Sequence, residues 1–347
     1  MCSRERAFNP RRPGAATSTA TGLRAALALL ALVGCATRVP PTRPPAPTPD
    51  WTRVVTPDTL RDLRRSEWIP VVQGPFQRVY RPAGTRYLND HTLLRGDDGR
   101  WHLYGITHES EGDASLERSF LHASSPSLFG PWRDEADALR SEAPEEALWA
   151  PFVLPLSIGH WAMFYYGNTP DHRVLRADSG DLHAWRRTAA SAPGGRDPFV
   201  LRIGGSWHLY SVGADEQRQV GQIIVSTSDD LRTWTTPAVA LEDPVASFGW
   251  GNLESPVVVA RGGEFYLFVT RTSEARHDYA RTMVFCSRDP RRFAWAPVTE
   301  LLAHAAEVIE DRGEWFVTSA GWTYQVGERW RGLSVAPLGW APRAAVR

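Results

Sequence analysis

The chain has 347 residues, 42% of them hydrophobic and 22% charged, which is a globular rather than a disordered composition, long enough for one large domain or two ordinary ones. Its 39 basic groups, all arginine, balance 39 acidic groups, so there is no basic footprint for general nucleic-acid binding and no lysine for Schiff-base or P-loop chemistry. Fifteen tryptophans beside three cysteines is the departure that needs a structural account.

The first 24 residues carry Arg4, Arg6, Arg11, Arg12 and Arg24 against one acid, Glu5, and the apolar run Ala25–Val33 follows. A basic segment, a short apolar segment and the small residue Gly34 before a cut predict an export signal over residues 1–34. The apolar run is shorter than the roughly 20 residues a membrane-spanning helix needs. Leu32-Val33-Gly34-Cys35 resembles the lipobox of bacterial lipoproteins, and the resemblance implies that Cys35 is lipidated and becomes the mature N-terminus. The alternative is an ordinary secretory signal with an incidental cysteine. Ala36 is not the aspartate that would suggest inner-membrane retention, so the expected place is the outer membrane of the cell envelope. Residues 35–50 are proline-rich and predict a stiff, extended tether between the lipidated cysteine and a domain over 51–347. Loss of the signal removes five arginines and one glutamate, which leaves a mildly acidic mature chain. Apart from Cys35 it keeps only Cys286, so no intrachain disulfide is expected even in an oxidising compartment.

From residue 68 onward, short apolar and aromatic runs alternate with Gly, Asp, Ser and Pro turns, which predicts an all-β fold. One pattern recurs five times: a strand, a Gly-containing turn, then a strand opening on an aromatic residue, at Trp101, Trp161, Trp207, Phe265 and Trp315. After each hairpin a polar turn is followed by a tryptophan: Ser124 to Trp132, Asp178 to Trp185, Ser228 to Trp234, Ser287 to Trp295 and Ser334 to Trp340. Five repeats of about 50 residues, each with room for four strands, predict a five-bladed β-propeller around a central channel. Residues 68–88 are expected to lend a strand to the last blade, closing the ring and removing its edges.

The innermost strands of a propeller begin at one mouth of the channel, so residues that open equivalent strands converge there. Asp90, Ala150, Asp197, Glu254 and His304 open the five repeats. Taken singly they have simpler readings: Asp before Pro is a turn former, Asn89-Asp90 suits an Asx turn, and a buried histidine is commonly structural. Together, three carboxylates at one mouth repel one another and point to a site.

Asn89-Asp90, Arg196-Asp197-Pro198 and Glu254-Ser255-Pro256 resemble the motifs of the five-bladed propeller glycoside hydrolases, families 32, 43, 62, 68 and 117, over residues 68–347. Trp149-Ala150-Pro151 is similar to the second-blade segment of family 43. His91 departs from both families 32 and 43, which have proline after the first aspartate. The resemblance implies that Glu254 is the general acid, Asp90 the general base or nucleophile, and Asp197 a third acid that tunes proton affinity or steadies the sugar. Arg196 is expected to pair with a carboxylate or bind sugar hydroxyls. Trp149 and Trp250 stand near strand starts, where their rings could stack on sugar or pack between blades. His304 is expected to contact sugar or serve structurally; a channel cation, as in some family 43 members, is the other use. No zinc spacing is present, and no cofactor is required for this chemistry. Glu307 reads as packing or turn chemistry.

The expected function is hydrolysis of arabinofuranosides, xylosides or fructosides by an envelope-anchored enzyme. A non-catalytic glycan-binding propeller and a protein-interaction scaffold are the alternatives.

Overall fold

The computed structural model describes residues 68–108, 114–246, 253–271, 280–322 and 329–342. The export signal, Cys35, the proline-rich tether and Trp250 all lie outside the described residues. What is described is all-β apart from one short 3-10 turn, Ala114–Leu116. Five antiparallel sheets follow one another along the chain, and together they form a five-bladed β-propeller.

The first blade runs through His91–Arg95, Trp101–Thr107 and Ser119–Ser125, with two short outer pieces, Arg133–Asp134 and Leu139–Arg140. The second contains Trp149–Ser157, His160–Tyr166, Val174–Ser179 and Trp185–Ala192. The third contains Arg196–Ile203, Ser206–Asp215, Val220–Ser228 and Ala238–Ala246. The fourth contains Leu253–Arg261, Glu264–Arg271, Thr282–Ser287 and Pro297–Leu301. The fifth is built from Val308–Asp311, Glu314–Trp322 and the long strand Arg329–Pro342. Its outer edge is completed by the chain's own beginning: Trp68–Val72 pairs with 338–342 and Gln77–Tyr80 with 333–335. The ring is thus closed by a strand from the front of the domain, and the backbone N–H of Trp68 also donates to the Tyr266 hydroxyl of the fourth blade (2.9 Å).

Hairpin geometry follows from the turn residues. Gly262 and Gly263 have φ of 61° and 80°, a pair of left-handed residues that matches the twist of the strands on either side. The second strands of the first, second and fourth blades are buried on both faces, and the core lies between blades rather than within them. Leu94, Tyr104 and Phe120 of the first blade pack on Val153, Met163 and Tyr165 of the second. Phe164 and Val174 meet Val200 and Leu209 across the next gap, and Leu93, Leu103 and Leu121 meet Leu333 and Val335 where the ring closes. Because a flat sheet must bury both faces, each blade depends on its neighbours.

The polar turn before each tryptophan is a real repeated device in four blades. Ser125, Ser179, Ser228 and Ser287 each accept a backbone N–H from two residues ahead through Oγ. In the second and third blades Asp181 and Asp230 then accept two further N–H groups each, while Leu182 and Leu231 take up left-handed φ. The fifth copy differs from its sequence pattern. Ser334 and Trp340 lie in one uninterrupted strand with no turn between them, because that strand must run on to pair with Trp68–Val72. There Trp340 packs edge-on against Tyr266 and Trp315, and the Arg261 guanidinium stands 5.0 Å from its ring centre.

Candidate active site

At the start of the inner strands the backbone makes the same irregularity in successive blades. Ala150, Asp197, Ser255 and Ala305 all have positive φ, between 47° and 59°. The strand register slips beside the first three, between 149 and 152, 196 and 199, and 254 and 257. These bulges turn the side chains at the strand starts toward one end of the channel. They also correct the register of the repeat. Asp197 is equivalent to Ser255 and Ala305, so Glu254 and His304 stand one place earlier, level with Trp149 and Arg196. The prolines mark the same register, with Pro151, Pro198 and Pro256 each following the left-handed residue.

The three acids are nevertheless brought together. Arg196 donates from Nη1 to Asp197 Oδ2 (2.6 Å) and from Nη2 to Glu254 Oε1 and to the Leu253 carbonyl (both 3.2 Å). Ser255 completes the link: its backbone N–H donates to Asp197 Oδ2 (3.0 Å) and its hydroxyl to Asp90 Oδ1 (2.6 Å). Residues from the first, third and fourth blades are so joined in one hydrogen-bonded chain. Sequence inspection missed Ser255. Its signal was position alone, between an acid and a proline at the start of a repeat.

Asp90, Asp197, Ser255 and Glu307 line a cavity at this mouth, with Phe152, Phe199 and Val257 among its apolar walls. Its free space is about 310 Å³ including the part open to solvent. Glu254 keeps 18% of its side chain exposed and Asp197 only 3%. Burial drives the proton affinity of both carboxyls upward, and the neighbouring acids add to the shift. Arg196 opposes that shift. It sits closer to Asp197 than to Glu254, and at Glu254 the loss of solvation wins. Glu307 is pushed up to about 8 by burial first and by Asp90 second. The site therefore holds more carboxyl groups than cationic partners, and Asp197, Glu254 and Glu307 retain their protons above the ordinary carboxylate range.

His304 is fully buried and is not among the residues lining the cavity. Its Nδ1 donates to the Ala320 carbonyl (2.5 Å) and its backbone N–H to Ser319 Oγ (3.1 Å). The backbone beside it is tight: Gly321 has φ of 75°, and a Cβ there would stand 3.0 Å from Asn89 Oδ1 and 3.3 Å from His304 Nδ1. His91, the departure from proline, is also buried, and its Nε2 meets Thr318 Oγ1 of the fifth blade (2.8 Å). Burial and the nearby His304 lower its pKa to about 3, so it is a neutral ring joining the first blade to the last. Trp149 stacks on Tyr166 (ring centres 5.6 Å apart, 15° between planes), which commits one of its faces to protein. Among the described residues no group of three or more His, Cys, Asp or Glu side chains is arranged to hold a metal ion.

Solved structures that superpose on this chain include glycoside hydrolases. A Bombyx mori GH32 beta-fructofuranosidase superposes with a TM-score of 0.59 at 16% identity, covering 77% of this chain and 65% of that one. A GH43_1 enzyme from Xanthomonas citri gives 0.59 at 14%, covering 81% and 93%. A sucrose-6-phosphate hydrolase from Lactobacillus gasseri gives 0.58 at 20%, covering 79% and 65%. The fold is that of the family 32 and 43 glycoside hydrolases. In sequence, the chain is 27% identical over 205 residues to a sucrose-6-phosphate hydrolase of Pediococcus pentosaceus, a match over 54% of this chain and 39% of the relative. The chain thus spans well under half the length of that relative. No family model matches it.

Proposed function

We propose that this protein is a glycoside hydrolase acting on arabinofuranosides, xylosides or fructosides. The observation that carries this reading is the chain of hydrogen bonds across three blades that ties Glu254, through Arg196, to Asp197 and Asp90, the two acids of the set that line the cavity. Cleavage of a glycosidic bond needs a protonated carboxyl beside the leaving oxygen and a carboxylate on the opposite face of the sugar. Glu254, with its proton held by burial and by the charges of Asp197 and Asp90, is the general acid. Asp90 is the opposing group. With Oδ1 fixed by Ser255, Oδ2 is its atom for a water, in an inverting reaction, or for the anomeric carbon, in a retaining one. Asp197 takes two donors on Oδ2 and offers Oδ1 to sugar hydroxyls. Arg196 positions Asp197 and Glu254 relative to each other. Trp149 and His304 support the site from the protein side, and Trp250 is a candidate sugar platform. On the same reading the enzyme is exported and held to the cell envelope, with its lipid on Cys35.

Purified protein should cleave at least one member of a panel of p-nitrophenyl α-L-arabinofuranoside, p-nitrophenyl β-D-xylopyranoside and sucrose. Glu254→Gln should lower kcat by about 10²- to 10⁴-fold, the range for a general acid. A wild type that cleaves nothing across these and a wider set of furanosides and pyranosides would sink the catalytic reading. Sugar binding without cleavage would then favour the glycan-binding propeller.

A further inference from the structure

We propose that Glu307 is a specificity-determining residue of this site, a fourth carboxyl that hydrogen-bonds a hydroxyl of an uncharged sugar bound in the cavity. The inference rests on the glycosidase reading of the same pocket.

Three observations support it. The first is the repeat itself. Two residues beyond the left-handed position, the second, third and fourth blades place Phe152, Phe199 and Val257, apolar side chains that wall the cavity. In the fifth blade the equivalent residue after Ala305 is Glu307, so a carboxyl stands where the fold elsewhere uses packing. The second is how the residue is held. The backbone N–H of Glu307 accepts no compromise in position: it donates to Thr318 Oγ1 (3.0 Å), and its carbonyl receives the Thr318 N–H (3.0 Å). Its main chain is fixed to the neighbouring strand while its side chain enters the cavity. The third is charge. Asp90 is its charged neighbour, and Arg196 is already bonded to Asp197 and Glu254. A partly buried carboxyl facing another acid costs stability, and a structural role would not require it. Retaining its proton, Glu307 can donate to a hydroxyl and accept from another, which suits a neutral sugar and disfavours an anionic one.

The test compares wild type with Glu307→Val, which installs the fourth-blade residue type, and Glu307→Gln, which keeps hydrogen bonding. The substrate is whichever of the three panel glycosides wild type cleaves best, and binding of L-arabinose, D-xylose and D-fructose is measured in parallel by calorimetry. E307V should raise KM about tenfold, the worth of one lost hydrogen bond at its stronger end, with a smaller change in kcat, and E307Q should recover most of the loss. Should the valine variant not fold, Glu307→Ala takes its place. Wild-type KM in the valine or alanine variant overturns the proposal while leaving the glycosidase reading intact. If wild type cleaves nothing, that reading falls by itself and calorimetry decides on Glu307. Monosaccharide binding about tenfold weaker in E307V supports the contact. Equal binding, or none in either protein, overturns it.

Discussion

Acidic residues occupy two kinds of place in this molecule, and the two behave in opposite ways. In the outer turns, Asp181 and Asp230 accept backbone N–H groups from their own turns, and these bonds pull their pKa values below the ordinary aspartate range. At the channel mouth, Asp197, Glu254 and Glu307 lose solvation with Asp90 as a shared charged neighbour, and their proton affinities rise. Asp197 has the left-handed backbone and following proline of a turn residue, yet its carboxylate reaches 58 residues along the chain to Ser255. A turn aspartate stabilises its own loop, whereas a mouth aspartate is held by other blades at a cost the rest of the fold offsets.

That contrast can be broken at several points. The largest effect expected is the loss of turnover in E254Q, since it removes the proton that the mouth is built to retain. Next is Arg196→Met. Removing the guanidinium leaves the buried Asp197 without its charged partner, and the loss should be about 3 kcal/mol, the typical result of breaking a buried pair, together with most of the activity. Thermal denaturation and kcat/KM check both parts. A variant with wild-type Tm and activity would show that Arg196 does not organise the acids.

The pH dependence of stability separates the two regions by sign. Glu307 has a folded pKa of about 8 against an ordinary 4.5. Below 4.5 it is protonated in both folded and unfolded chains. As pH rises toward 8 the unfolded chain releases its proton first, so stability falls across that window. Glu307→Gln should therefore be more stable than wild type at pH 8 and equal to it near pH 4. Asp181 is lowered instead, so its contribution is present above the ordinary aspartate pKa and is lost as pH falls through the folded value. Asp181→Asn should be slightly less stable than wild type at pH 7, with the difference vanishing in strong acid and catalysis unchanged. Denaturant midpoints measured across pH test the pair, and the same sign at both positions would erase the distinction. In activity, kcat/KM should decline on the alkaline side as Glu254 loses its proton, and a rate that holds flat well above neutrality would remove it as the general acid.

Much of this was legible in the residues. The repeated aromatic strands and Gly turns gave the five blades, and residues 68–88 contain the closing strands. The tryptophan excess is accounted for in large part by the same repeat, as Trp161 sits in a second strand and Trp132 closes a polar turn, where its Nε1 donates to the Leu128 carbonyl. The sequence pattern grouped Asp90, Asp197 and Glu254 on a partly inexact alignment: it set Glu254 level with Asp197, whereas the bulges place Ser255 there. A one-residue offset is invisible to hydrophobic spacing, because a bulge adds a residue without altering the apolar run after it. Ser334 to Trp340 misled for a related reason. The spacing of a polar turn and a tryptophan survives in a strand that has no turn.

The sequence by itself determined the blade count and, in four blades, the turn chemistry, because alternation, glycine and short-range hydrogen bonding act between near neighbours. Only the tertiary structure decided which acids share a guanidinium, that Ser255 joins Asp90 to Asp197, that His304 is buried, and that Glu307 enters the cavity. Those outcomes depend on desolvation and on contacts between blades far apart in the chain, 165 residues in the case of Asp90 and Ser255, and contacts of that kind exist only once the ring has closed.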